Sequence, residues 1–484
     1  MEEHGHHHAL SKDSLNFFDS FVMAVAGTAP AYSIAATTSV LVAAVGLQAP
    51  GALLWCGIPI MGVVVAFFFL NRWHVNAGAS YAWVGKALNA NLGFLSGWAL
   101  LVSATVFMVS GSFPAGTATL DLIAPSLSNN LLAVTITGAA WFIIINLVVM
   151  LGIKLTAKVQ WIMSSIEIGL LLIAGIAAFI KFGFHPVQHF SWSWFSPFAF
   201  KSPQAFIGGA LIATFYYWGW DVSANLNEET KDSHSIPGMG AIFGIIFLFL
   251  TFEFFTVATQ MGMSLSQINN ASANILQALG VELFGPKLGN IMILAVALST
   301  IATLETSLLQ ITRTLFSMGR DGVVSRRFAI THRKWKTPYV ANLVIGIFAL
   351  VLFVLSNFLS SVSAVLTDAI NAIGLQVVFY YGLAAISVIV FYRKILFKGI
   401  VNFIVLFLWP LIAAVFLLIV GISDIPNLNM VTNIVGIGLI VVGVIPLLWG
   451  KYKNRSDFYK LPKEVFEQPT LVFSPAEPTN MEQT

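Results

Sequence analysis

The chain has 484 residues, of which 57% are apolar and 9% charged, with a net charge of +3 and a mean hydropathy of +0.85. A soluble domain carries roughly 25% charged residues, so this composition excludes a soluble enzyme or binding module and points to an integral membrane protein. Apolar runs of ~20 residues or more match helices crossing ~30 Å of hydrocarbon, not the ~10-residue alternating strands of a barrel.

Residues 1–16 are polar and lack the apolar core of a signal peptide, so a cytoplasmic tail is expected. His4, His6, His7 and His8 within it could hold a metal, but read better as a solvated segment. Twelve spans follow, near 17–45, 51–71, 92–123, 131–151, 156–181, 204–228, 237–262, 288–319, 338–357, 363–392, 399–421 and 432–450. Residues 17–392 form the expected ten-helix core, 393–450 two peripheral helices, and 451–484 a cytoplasmic tail. That tail holds Pro462, Pro469, Pro475 and Pro478 and is expected to be disordered.

The first span is interrupted at Ala26-Gly27-Thr28-Ala29-Pro30. Proline lacks an N–H and collides with the preceding turn, and glycine loosens the backbone. A break at membrane depth survives only when buried in protein or lining a polar cavity. The single cysteine, Cys56, rules out an intramolecular disulfide. Residues 76–91 read as an amphipathic helix on the cytoplasmic surface. The loop 182–203 carries Trp192, Trp194 and Phe195, which suit an interfacial anchor.

The sixth span reads Phe215-Tyr216-Tyr217-Trp218-Gly219-Trp220-Asp221, and its glycine and carboxylate predict a second broken helix. If the core is two units of five spans, spans 1 and 6 correspond and the second unit is inverted. Paired interruptions in corresponding spans point to a transporter's midplane site. N–H groups after Pro30 suit a carboxylate, and carbonyls near Phe215 to Trp218 suit an ammonium. Tyr216, Tyr217, Trp218 and Trp220 could close over a ligand, or simply pack. Asp221 could face an amine or cap the second half-helix; the cap is the favoured reading.

Of the 24 Lys and Arg residues, only Lys181, Lys201 and Lys287 fall in loops that twelve spans place opposite the N-terminus. The positive-inside rule then puts both termini in the cytoplasm. Arg320, Asp321 and the basic run 326–336 read as topology and headgroup contacts, with an ion pair to Glu228 or Glu229 as the sharper alternative. No GxxxxGK[ST], HExxH or paired CxxC motif occurs, so neither an enzyme nor direct ATP coupling is expected. No nucleic-acid binding is read from the charge, and the oligomeric state stays open.

Four stretches in order resemble the amino acid–polyamine–organocation superfamily over roughly residues 15–450. They are Gly27-Thr28-Ala29-Pro30; Asn76-Ala77-Gly78-Ala79-Ser80-Tyr81-Ala82-Trp83, leading to Gly93-Phe94-Leu95-Ser96-Gly97-Trp98; Gly219-Trp220-Asp221 with Asn227-Glu228-Glu229-Thr230 and Ile236-Pro237; and Ser317-Met318-Gly319-Arg320-Asp321-Gly322-Val323 with Thr337-Pro338. The resemblance implies an all-α membrane protein with the leucine-transporter-like fold: twelve transmembrane helices, as two inverted five-helix repeats plus two peripheral helices. It also implies secondary transport of amino acids or amines, and the expected function is an amino acid permease of the cell membrane working by alternating access, H⁺-coupled or exchanging. An amine or polyamine permease is the close alternative, and a non-transporting sensor one of another class.

Two departures stand out. The first break is Gly-Thr-Ala-Pro rather than a glycine- and serine-rich run. Glu167 occupies the fifth-span position where many members carry lysine. With Glu305, Thr303 and Thr306 on the eighth span, it is expected to flank a proton or Na⁺ coupling site beside the first break. An ionisable group inside a span is a functional candidate by default. The expected substrate site is Ala26, Gly27, Thr28, Ala29, Pro30, Phe215, Tyr216, Tyr217, Trp218, Gly219 and Asp221. No cofactor beyond the coupling ion is expected.

Overall fold

The structure is a computed structural model that describes residues 9–358, 362–460 and 462–467. These are almost wholly helical, and the described residues include no β-strand beyond an isolated bridge between Leu15 and Thr230. The histidine run and the tail after residue 467 lie outside them.

Helix α1 (Phe17–Gly27) starts in a reciprocal cap. The Asn16 side chain accepts from the N–H groups of Phe18 and Asp19, and the Asp19 carboxylate accepts from the Asn16 N–H; this satisfies donors that a helix start leaves free. Thr28 and Ala29 separate it from α2 (Pro30–Val45), with Ala29 in the left-handed region at φ 52° and ψ 63°. Pro30 opens α2, where its missing N–H costs nothing. Then come α3 (Ala49–Trp73), α4 (Ser80–Ala87), α5 (Ala90–Ile123), α6 (Leu131–Met150) and α7 (Ile153–Phe184). The sixth expected span divides into α8 (Pro203–Tyr216) and the single turn α9 (Val222–Asn225). Beyond it lie α10 (Ile236–Gly262), α11 (Leu265–Ala271), α12 (Ile275–Gly289), α13 (Met292–Arg320), α14 (Tyr339–Ser356) and α15 (Val362–Phe391).

Ten stretches among the described residues are long and apolar enough to cross a membrane; the first, Phe17–Trp73, contains α1 to α3, and the last two are Ile400–Asn427 and Met430–Lys453. Helix α13 is the hub. Nearly all of it is buried, and it packs on α5, α7, α6, α2 and α1. The greasiest faces point outward at the periphery, as with Ile136 of α6 and Ile347 of α14, where a bilayer replaces water as the solvent.

Three local expectations are corrected. Helix α4 does not lie on the membrane surface: Ser80 to Gly85 and Ala87 are buried between α5 and α15. Its short apolar face gave an amphipathic signal because one side meets α5 and the other α15. The stretch 263–287, left between the seventh and eighth expected spans as a connection, is helical: α11 and α12 pack over α2. The start of the C-terminal tail is ordered. Phe458 stacks on Tyr81 at 4.7 Å, and Glu464 accepts from Lys86 at 2.8 Å and from the Trp73 indole at 3.1 Å.

Candidate functional site

The two breaks meet backbone to backbone. A Cβ added at Gly27 would collide with the Gly219 carbonyl, and one at Gly219 with the Gly27 carbonyl. Gly219 also sits at φ +103°, a conformation that glycine alone adopts cheaply. Both glycines are therefore required by contact, and Gly219 by conformation as well.

Broken helix ends leave backbone groups that must be satisfied. At the first break the donors are all taken. The N–H of Thr28 goes to Val25 O at 3.2 Å, that of Ala29 to Ala26 O at 3.1 Å, and that of Ser33 to Ala29 O at 2.7 Å. The Ala31 N–H donates to Glu167 Oε1 at 2.9 Å, and the Tyr32 N–H to Ser299 Oγ at 3.2 Å. Glu167 thus caps α2 from a neighbouring helix, carboxylate against the positive end of the helix dipole. Two freed carbonyls are met by hydroxyls: Thr303 Oγ1 donates to Ala26 O at 2.7 Å, and Ser33 Oγ to Thr28 O at 2.9 Å.

The other half of the expected coupling site is not assembled in this way. Glu305 lies two residues past Thr303, about 200° round the helix. It is fully buried, and neither carboxyl oxygen has a hydrogen-bond partner among the described residues. Thr306 donates to carbonyls of its own helix, Ala302 and Thr303.

Around the second break the aromatics divide. Tyr216 shares a 2.7 Å hydrogen bond with Thr38, and Tyr217 donates to Leu53 O at 3.3 Å; both pack against Phe252. Trp220 is wedged between Phe67 and Tyr381. These three side chains pack against neighbouring rings. Trp218 differs: its ring meets Phe107, which in turn meets Tyr32, each at 5.8 Å, and its indole N–H donates to the Tyr380 hydroxyl at 2.8 Å. Phe215 is buried beside it.

Asp221 occupies the cap position of α9 but its side chain caps nothing, which corrects the favoured reading. Its carboxylate instead accepts from Tyr380 at 3.1 Å and Tyr381 at 3.0 Å. Two tyrosines from α15 offered short, well-aimed donors, and a helix of one turn presents too few free N–H groups to compete.

One face of the aromatic layer borders a cavity of about 580 Å³. Tyr32, Ala36, Val296 and Ile370 lie toward its floor, and Asp121, Asn129, Asn274 and Gln277 toward its mouth. At the opposite end a second cavity, about 830 Å³, is lined by His74, Glu228, Arg320 and Asp321, and ion pairs lie at its wall and beneath it. Arg313 holds Glu229 in a two-pronged ion pair, Nε to Oε2 at 2.9 Å and Nη2 to Oε1 at 3.1 Å, both side chains fully buried. Arg320 grips Glu228 in the same way at 3.0 and 2.7 Å, and Glu228 also accepts the Ala77 N–H. Asn225 donates to Ala77 O and Thr314. Arg320 therefore makes the ion pair with Glu228, the sharper of the two expectations, with 34% of its side chain still exposed. The Tyr81 hydroxyl donates to Asp321 at 2.8 Å, and burial lifts the Asp321 carboxyl above its ordinary value despite that bond. Burial, with Lys86 nearby, drives the neighbouring His74 imidazole down from 6.5 to about 4.

The sequence located both breaks and Glu167. It missed Ser299 as a cap, the Arg313–Glu229 pair, and Tyr380 and Tyr381. The adjacent tyrosines, in a span that also carries Asp368, Asn371 and Gln376, were an available signal, since buried hydroxyls need partners.

Comparison with known proteins adds an independent line. The family model described as amino acid permease matches residues 15–449. The chain is 26% identical over 329 residues to the low-affinity putrescine importer PlaP of Escherichia coli K12, covering 62% of this chain and 66% of that protein. It is 27% identical over 289 residues to the branched-chain amino acid permease BcaP of Bacillus subtilis, covering 56% and 59%. The methylthioribose transporter of the same organism is 24% identical over 286 residues, covering 56% and 60%. Each match spans less than two thirds of the relative's own length.

Proposed function

The chain belongs to the amino acid permease family, a family of transporters and not of enzymes, and from that premise we propose that it is a secondary active transporter of a small aminated solute. It works by alternating access across the cell membrane, with both termini cytoplasmic. The observation that carries this reading is the meeting of two broken helices at Gly27 and Gly219 in the buried centre. Such unwound backbone is tolerated in a membrane only where it is enclosed or lines a path.

The proposed frame has twelve crossings, as two inverted five-helix repeats plus two peripheral helices. Phe17–Trp73 supplies two crossings, the broken α8–α9 one, and the nine remaining apolar stretches one each. Cavities enter from both ends, but the one lined by Tyr32 reaches the first break, while the other stops above the fully buried Arg313–Glu229 pair; this supports an outward-facing state with the cytoplasmic gate shut. Ala26 to Pro30 and Phe215 to Asp221 form the proposed substrate region. Glu167, with Ser299 and Thr303, is the proposed proton or Na⁺ site, because it ties an ionisable group directly to the first break. Glu305 and Thr306 belong to the same helix and remain candidates for coupling at a separate position.

Two of the relatives carry putrescine and branched-chain amino acids and the third a thio-sugar; with the family model for amino acid permeases beside them, an amino acid or amine is the proposed substrate of this chain. Purified protein in proteoliposomes tests the reading. Saturable uptake with counterflow against a preloaded solute is expected, whereas ligand binding with no flux would identify a sensor.

A further inference from the structure

We infer that the substrate is an organic cation without a carboxylate, a mono- or diamine rather than a zwitterionic amino acid; this rests on the transporter reading above. The first reason is donor accounting. A bound carboxylate needs N–H or O–H groups, and at the α2 start the protein has already used them. Glu167 takes the Ala31 N–H and Ser299 the Tyr32 N–H, while Thr28 and Ala29 turn back onto α1. A second protein carboxylate, Asp221, stands at the start of α9. Both breaks therefore present a carboxyl group, and no free donor, where an anionic group would have to approach.

The second reason is what the site offers instead. Asp221 is fully buried and has no basic partner among its hydrogen bonds, which come from Tyr380 and Tyr381. A carboxylate has about four lone-pair sites, so two tyrosines, with the Gln310 amide beside them, leave it acceptor capacity for an ammonium. Trp218, bonded to Tyr380, leads through Phe107 to Tyr32 at the cavity wall, and aromatic rings of this kind attract a cation. Passage to Asp221 needs Trp218 to release Tyr380 and turn aside.

The third reason is independent of the breaks. The cavity leading to that aromatic layer has one charged lining residue, Asp121, and no Lys, Arg or His in its wall. A cleft lined by a single sign of charge concentrates the opposite ion.

The test uses a matched pair. Putrescine and L-ornithine share a carbon chain and differ by one carboxylate. Reconstituted protein is expected to take up labelled putrescine saturably, with ornithine and leucine competing at least roughly tenfold more weakly. Asp221→Asn should abolish that uptake and remove the thermal stabilisation by putrescine, and Asp121→Asn should raise KM more at low ionic strength than at high. Preferred transport of ornithine, leucine or another amino acid would overturn the amine assignment while leaving the permease intact. Flux of neither class above that of empty liposomes would defeat the transport reading, and this inference with it. The wild-type comparison decides the matter even if Asp221→Asn fails to fold.

Discussion

Replacing Glu229 by Gln should open the cytoplasmic gate. Glu229 and Arg313 are both fully buried and joined at 2.9 and 3.1 Å, and the guanidinium has one further bond, to Thr312 at 3.2 Å. Glutamine keeps the shape but turns the pair into a buried, uncompensated cation. Breaking such a pair costs about 3–5 kcal/mol. The cost falls on the closed state, because an open pathway lets water reach Arg313. At ~1.4 kcal/mol per decade, the ratio of open to closed protein rises by roughly two to three and a half orders of magnitude. The readout exploits the single cysteine, Cys56, which is buried. In a Cys56→Ala background, Ser223→Cys places a thiol at a buried position of α9 behind the gate. Its modification by an impermeant thiol reagent from the cytoplasmic side should accelerate by about 100-fold in the Glu229→Gln protein. Removing both charges together, Glu229→Leu with Arg313→Met, should bring the rate back toward that of the parent, since apolar replacement of a buried pair is often neutral. Labelling within about threefold of the parent, a difference under ~0.7 kcal/mol, would refute the gate assignment.

Other outcomes follow from single contacts. Gly219→Ala should abolish uptake and lower the melting temperature more than Gly27→Ala does. It adds left-handed strain at φ +103° to the shared clash, each of these worth about 1–3 kcal/mol; equal melting shifts would remove the conformational argument. Glu167→Gln retains an oxygen for the Ala31 N–H, so the protein should fold and lose the pH or Na⁺ dependence of uptake. Glu167→Leu, by contrast, strands that donor at a cost of about 1–3 kcal/mol. Unchanged ion dependence in the glutamine variant would reject the coupling role. His74 gives a pH signature. Its imidazole titrates near 4 when folded against 6.5 when free, so the unfolded chain binds the proton first. Stability contributed by the neutral ring is full above 6.5 and is lost as pH falls toward 4. Thermal melting across that window should decline, and His74→Gln should flatten the decline.

The sequence determined the parts whose signal is local or periodic. Apolar runs longer than a bilayer is thick required helices, and 9% charged residues left no soluble alternative. Proline at position 30 and glycine at 219 marked the breaks, because neither residue's backbone preference depends on the rest of the fold. Glu167 was visible as a charge with no business in lipid. The tertiary structure alone decided who answers each unpaired group. Whether Asp221 caps α9 or accepts from Tyr380 and Tyr381, whether α4 floats on lipid or is buried against α5, and whether Arg320 meets headgroups or Glu228 all depend on residues tens to hundreds of positions away. Hydrogen bonds and ion pairs are short-range and directional, so partner choice is set by which helices the packing brings within about 3 Å. A linear pattern records that a group needs a partner, while the folded bundle supplies it.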